Sequence, residues 1–288
     1  MKKLIILLGV AGTAFSAIFV RSSDALAIVL VFYRMLFAVL LLLPGMVLRK
    51  KELQGITIRE LGVCAISGIF LGMHFICYFL SLQYTGIASA VVLVDTEVFF
   101  VALGGAIFFK EKVYPLVGLS IGVTFAGSVI VACGDMSGGG FIGDIIALGG
   151  ALCSAVYTLI GRRCRKQMST TVYTWIVYFL ASIVALMACI FNRPAALLCG
   201  RKDLLLSLGL TVVCTLLGHS IFSWGLKYER ASFISTVKLL EPVFAAALGA
   251  LIFREVPLPT SVTGGLIIIA GIILCINGNR QMDSAGEV

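Results

Sequence analysis

The chain has 288 residues, of which 60% are hydrophobic and only 12% charged, with a mean hydropathy of +1.10. A soluble domain of this size carries about a quarter charged residues, so this composition excludes a water-facing globule and reads as an integral membrane protein. The net charge of +8 does not argue for nucleic acid, because the basic residues stand between apolar runs, where they orient helices.

At about 20–25 residues per span there is room for roughly ten helices and no sizeable soluble domain. Apolar runs between polar punctuation predict ten transmembrane helices, over residues 4–20, 25–48, 61–82, 86–109, 115–133, 145–160, 172–191, 204–226, 231–253 and 258–276. The runs are continuously apolar rather than alternating, so the expected fold class is an all-α membrane protein and not a barrel. The first run begins with Lys2 and Lys3 and looks like a signal peptide. Its apolar stretch is long for a signal core and further spans follow, so it is taken as the first helix. The sixth run is short and is expected to extend over Gly143 and Asp144. The SGGG stretch at 137–140 lacks a following GK[ST] and reads as a link rather than a phosphate loop.

Nine cysteines are present, and most, including Cys64, Cys77, Cys189, Cys214 and Cys275, lie within apolar runs without metal-ligand spacing. They read as small apolar filler. The sequence holds no HExxH, GxSxG or Walker motif. Neither catalytic residues, a metal nor a cofactor is expected.

Lysines and arginines set the orientation. With a cytoplasmic N-terminus, 15 of them fall on the inner side, 5 on the outer side, and Arg34 and Lys238 lie within spans. Both termini are therefore expected in the cytoplasm, with the chain in the cell membrane.

The chain repeats itself. A shift of 144 residues superposes Leu82 on Leu226, Tyr84 on Tyr228, Glu97 on Glu241, Phe109 on Phe253, Pro115 on Pro259 and Gly127 on Gly271. Residues 1–134 and 143–278 are thus read as two five-helix repeats, with 135–142 as link and 279–288 as a cytoplasmic tail. Five is odd, so the second repeat would enter the membrane inverted. Inverted repeats build many secondary transporters, with sites near the midplane between the halves.

Several stretches resemble EamA-type transporters of the drug/metabolite transporter superfamily. They are KLLEPVFAAALGALIFREVPLP and GGLIIIAGIILCING in the second half, LQYTGIASAVVL, VFFVALGGAIFFKEK and GVTFAGSVIV in the first, and FYRMLFAVLLLLP and GDIIALGGALCSAVYTL. The resemblance implies a ten-helix transporter fold over nearly the whole chain. Val98 stands where the family commonly has a proline, as at Pro242, so the ninth helix is expected to be the more kinked.

Ionisable groups deep in apolar spans usually face a cavity or a partner. Asp95 and Glu97 lie near the middle of the fourth span, and Lys238 and Glu241 in the ninth. On a continuous helix Asp95 and Glu97 point about 200° apart and cannot both face one cavity. A structural pairing with Arg34 is the alternative for either. Lys238 and Glu241 share a face, so a local ion pair is the plain reading. With Arg34 and Lys238 against three carboxylates the core carries one net negative charge. Either one carboxylate keeps its proton or a cationic solute group fills the deficit. His74 and His219 fall near corresponding positions, one residue out of register. Each is more often a packing residue than a proton carrier. Tyr33, Tyr78 and Tyr178 are deep enough to line a pocket, while Trp175 and Trp224 lie in or near core spans. Gly68/Gly72 and Gly118/Gly122 have GxxxG spacing, read as packing within the bundle, with a weak homodimer through the fifth and tenth helices as the alternative.

The candidate binding or coupling residues are therefore Asp95, Glu97, Lys238, Arg34, Glu241, His74, Tyr78, Tyr178 and Trp224. The expected function is secondary transport of a small polar solute, an amino acid or amine, by alternating access. Protons are the expected driving ion, and the family resemblance favours export. A membrane-embedded enzyme on lipid-linked substrates, or a non-transporting sensor or accessory subunit, is the competing class.

Overall fold

The computed structural model describes residues 2–84, 87–110, 114–133, 140–192, 197–241, 243–244, 247–248, 251 and 259–284. Its elements are helical throughout, as they must be where lipid offers no partner to the backbone. The chain opens with α1 (Lys2–Ala14), α2 (Ser16–Arg21), α3 (Ala27–Leu48), α4 (Lys50–Gln54) and α5 (Ile58–Tyr84). It continues through α6 (Ile87–Asp95), α7 (Glu97–Phe109), α8 (Pro115–Cys133), α9 (Phe141–Cys164) and α10 (Thr170–Asn192). Then follow α11 (Arg201–Gly209), a π-helical stretch (Leu210–His219), α12 (Ser220–Gly225), α13 (Ala231–Lys238) and α14 (Pro259–Ser284).

Among the described residues seven helical runs are long and apolar enough to cross a membrane, and the shorter apolar helices Pro115–Ile130 and Val262–Gly278 stand at the fifth and tenth positions. The ninth expected span, 231–253, lies partly outside the described residues. The sixth does extend over Gly143 and Asp144, because α9 begins at Phe141. The chain is a multi-pass membrane protein.

Packing follows small residues. Gly68 and Gly72 of α5 seat α10: a Cβ on Gly68 would lie 2.6 Å from the Val177 carbonyl oxygen, and one on Gly72 would lie 3.2 Å from the Ala181 Cα. This is the close approach that small-residue spacing permits. α8 runs along α14 within the same chain, α5 along α9, and α3 along α10. One core cluster joins α3, α5 and α10 through Met35, Leu71, Phe75, Phe79 and Tyr178. A second joins α1, α12 and α13 through Ile6, Val10, Phe222 and Ile234. The cavity adjoins the first cluster at Phe75.

Candidate functional site

The cavity holds about 60 Å³ and is walled by Thr13, Ser16, Arg34, His74, Phe75, Tyr78, Val94, Asp95, Glu97, His219, Lys238 and Glu241. That is room for a few waters, or for the polar end of a small solute. Seven of the nine candidate binding or coupling residues share this one space. The other two do not: Tyr178 is fully buried, with its hydroxyl 3.0 Å from Ser220 Oγ, and Trp224 rests against Tyr228, ring centroids 4.9 Å apart.

Asp95 and Glu97 both face the cavity, contrary to the expectation from a continuous helix. The reason is local. The helix breaks between them, with Asp95 ending α6 and Glu97 opening α7. Thr96 at the break folds its hydroxyl onto the Leu93 carbonyl at 2.5 Å, while its backbone N–H reaches the same oxygen at 3.3 Å. A threonine hydroxyl that takes a backbone carbonyl in this way competes with the helical ladder. In the second half α13 stops at Lys238, and Leu239 and Leu240 bond back three residues, to Thr236 and Val237, at 3.2 and 3.1 Å. The breaks at 96 and 239–240 coincide under the 144-residue shift, so the first half is interrupted without a proline; Pro242 lies outside the described residues.

The local Lys238–Glu241 pair is not what forms. Lys238 Nζ instead donates to Glu97 Oε1, an ion pair that bridges α13 and α7 with side chains 15% and 4% exposed. Lys238 and Glu241 line the same cavity, but the lysine's hydrogen bond crosses to the neighbouring helix. Glu97 Oε2 and Asp95 Oδ2 are buried without a hydrogen-bond partner.

Arg34 pairs with neither carboxylate. Its guanidinium lies 4.3 Å above the Phe75 ring and donates through Nε to Thr215 Oγ1 at 2.7 Å, which leaves Nη2 buried and unpartnered. The π-helical stretch sets this up: Thr215 Oγ1 reaches the Leu210 carbonyl five residues back at 3.2 Å, and Thr211 Oγ1 donates to the Arg34 carbonyl at 2.9 Å. The same stretch ends at His219, which lines the cavity together with His74. π-Helical segments are frequent at functional sites. His74 donates through Nδ1–H to the Gly150 carbonyl at 3.0 Å. The His219 ring stands edge-on to Phe75 at 5.1 Å.

Thr13, Ser16, Phe75 and Val94 line the cavity without having been singled out by sequence. They carry no signal that separates them from packing residues. His219 alone had one, as the second of only two histidines in the chain.

The EamA-like transporter family model matches residues 2–133 and 141–277. An uncharacterized transporter of Archaeoglobus fulgidus is 28% identical over 266 residues, 88% of each chain. The pseudopaline exporter CntI of Pseudomonas aeruginosa is 28% identical over 227 residues, 76% of this chain and 77% of that one. A solved crystal structure superposes with a TM-score of 0.80 over 98% of both chains at 16% identity, a likeness of fold. The family and its named relatives are transporters rather than enzymes. A buried chamber lined by charges of both signs, in a bundle whose sequence matches this model nearly end to end, is what such a protein requires: the chain belongs to the EamA-like transporter family.

Proposed function

We propose that this transporter carries a small zwitterionic or cationic metabolite, an amino acid or amine, by alternating access through the cavity. The observation that carries the reading is the set of unpartnered buried atoms: Arg34 Nη2 as donor, and Asp95 Oδ2 and Glu97 Oε2 as acceptors. Buried polar groups left unpaired cost about 1–3 kcal/mol each, so a ligand that satisfies all three gains affinity. A solute carboxylate suits Arg34, whose planar guanidinium matches it. A solute ammonium suits Asp95 and Glu97.

The walls hold Arg34 and Lys238 against Asp95, Glu97 and Glu241. With all ionised, one negative charge is uncompensated. A proton or the solute's cation makes up the difference, which links proton movement to solute occupancy. An ammonium arriving at Glu97 competes with Lys238, and Glu241, three residues along, is the carboxylate able to receive the displaced lysine. The bridge between α7 and α13 would then open.

Ten helices in two inverted repeats are part of the proposal. The packing supports it: under the 144-residue shift the α5–α9 contact exchanges with that of α1 against the π stretch and α12. The α3–α10 and α8–α14 contacts map onto themselves. Cytoplasmic termini in the cell membrane rest on the 15-to-5 asymmetry of basic residues. Export is favoured by the exporter among the relatives.

The test is a screen of amino acids and amines on purified protein in liposomes, with and without a pH gradient. Gradient-dependent movement of a zwitterion or amine is expected. Transport only of solutes lacking an amino group would overturn the reading.

A further inference from the structure

Three sulfurs converge at one end of the bundle, away from the cavity. Cys64 lies in α5, Cys164 is the last residue of α9, and Met168 sits in the turn that follows, held by its N–H to the Cys164 carbonyl at 2.9 Å. Cys64 Sγ is 3.8 Å from Cys164 Sγ and 3.5 Å from Met168 Sδ. All three side chains are buried, with Cys64 wholly inside and Cys164 and Met168 keeping 7% and 5% exposure at the bundle end.

We propose that Cys64, Cys164 and Met168 form a binding site for a soft monovalent metal ion, Cu(I). A metal–thiolate bond of about 2.3 Å places the sulfurs of a trigonal site about 4.0 Å apart. The two observed separations lie within about half an ångström of that, so the site closes on an ion with small side-chain movements. Thiolate and thioether together select soft ions, and the uncharged methionine sulfur disfavours harder divalent metals. Among the described residues no three of His, Cys, Asp or Glu come together for a metal; here the third donor is a methionine.

The charge closes as well. Binding displaces the two thiol protons to solvent and leaves Cu(I) with two thiolates and a neutral thioether, a net charge of −1. Arg165, next in chain to Cys164 and 1% exposed, supplies a buried guanidinium. It is fixed by donating through Nε to the Ser223 carbonyl at 2.9 Å, through Nη1 to the Met168 carbonyl, and through Nη2 to Thr170 Oγ1 at 2.6 Å. A fixed cation beside thiols favours their thiolates. Arg162, Arg163 and Lys166 mark this end as the basic one, which the positive-inside pattern assigns to the cytoplasm. There a reducing milieu keeps thiols free.

The experiment is titration of the purified full-length protein with Cu(I) against a chromogenic Cu(I) chelator, under reductant. One tightly held equivalent per chain is expected. It should be lost in Cys64→Ser/Cys164→Ser and kept in Cys77→Ser/Cys153→Ser, and Met168→Leu should bind at least tenfold more weakly. Unchanged binding in Cys64→Ser/Cys164→Ser overturns the site. If that variant does not fold, X-ray absorption of the wild-type complex decides: a three-sulfur shell supports the site, and a nitrogen or oxygen shell overturns it.

Discussion

The broken helix α6–α7 and its counterpart beginning at α13 share a frame but not a charge. Both are interrupted at the same point of the repeat, and both present a glutamate just after the break, Glu97 and Glu241. Asp95 corresponds to Leu239, and Lys238 to Val94. The first arm therefore carries two carboxylates, and the second a carboxylate and an ammonium. A strictly symmetric pair of arms would put only like charges opposite one another. Two substitutions turn that repulsive arrangement into an ion pair across the halves, Glu97 to Lys238, and leave two acidic groups, Asp95 and Glu241, against Arg34 of α3. Where the sequence repeat matches, at Glu97 and Glu241, the two arms are alike; where it departs, at Asp95 and Lys238, they differ in charge.

The comparison can be broken at the surplus acid first. Asp95→Asn should reduce gradient-driven solute movement in liposomes to background while the protein still elutes as a folded species; full activity would remove Asp95 from the site. Next in size is Lys238→Val, which makes the second arm resemble the first. It strands a buried Glu97, and losing one partner of a buried pair costs about 3–5 kcal/mol. The melting temperature in detergent should fall markedly and recover in large part when Glu97→Gln is added. A double variant as unstable as the single would show that the pair is not the reason.

Smaller effects sharpen the picture. Thr215→Val removes the partner of Arg34 Nε, and a hydrogen bond to a charged group contributes about 1.5–3 kcal/mol. Chemical or thermal denaturation should register that loss, and solutes bearing a carboxylate should bind more weakly than simple amines. Thr96→Val removes only the hydroxyl that holds the Leu93 carbonyl at the first break. A change of about 1 kcal/mol is expected, accompanied by a larger loss of transport than of stability if the break positions Asp95 and Glu97 together.

Much of the molecule was legible beforehand. Composition and unbroken apolar runs fix a helical membrane protein, because only a helix satisfies its own backbone in lipid. Depth within a run is read directly from the sequence, so Arg34, Asp95, Glu97, Lys238 and Glu241 stood out by residue type alone. The 144-residue sequence repeat is likewise visible in aligned glycines, prolines and glutamates. Tyr178 and Trp224 were harder: an aromatic in a span looks the same whether it lines a cavity or packs a core. Thr13, Ser16 and Val94 carried no mark at all.

Who pairs with whom was decided by the tertiary structure. Helical periodicity assigned Lys238 to Glu241 and set Asp95 and Glu97 on opposite sides; the first inference is blind to a partner on another helix, and the second holds only for a continuous helix. The interruption at Thr96 lies between two carboxylates that line one cavity, and Lys238 reaches across to Glu97. Ten residues of π-helix carry Thr215, which holds Arg34, and His219, which lines the cavity. The three sulfurs of Cys64, Cys164 and Met168 meet across 100 residues of chain. Residue type and depth are properties of the chain itself; direction depends on where the backbone leaves its regular path, and that is settled by helices pressing on one another.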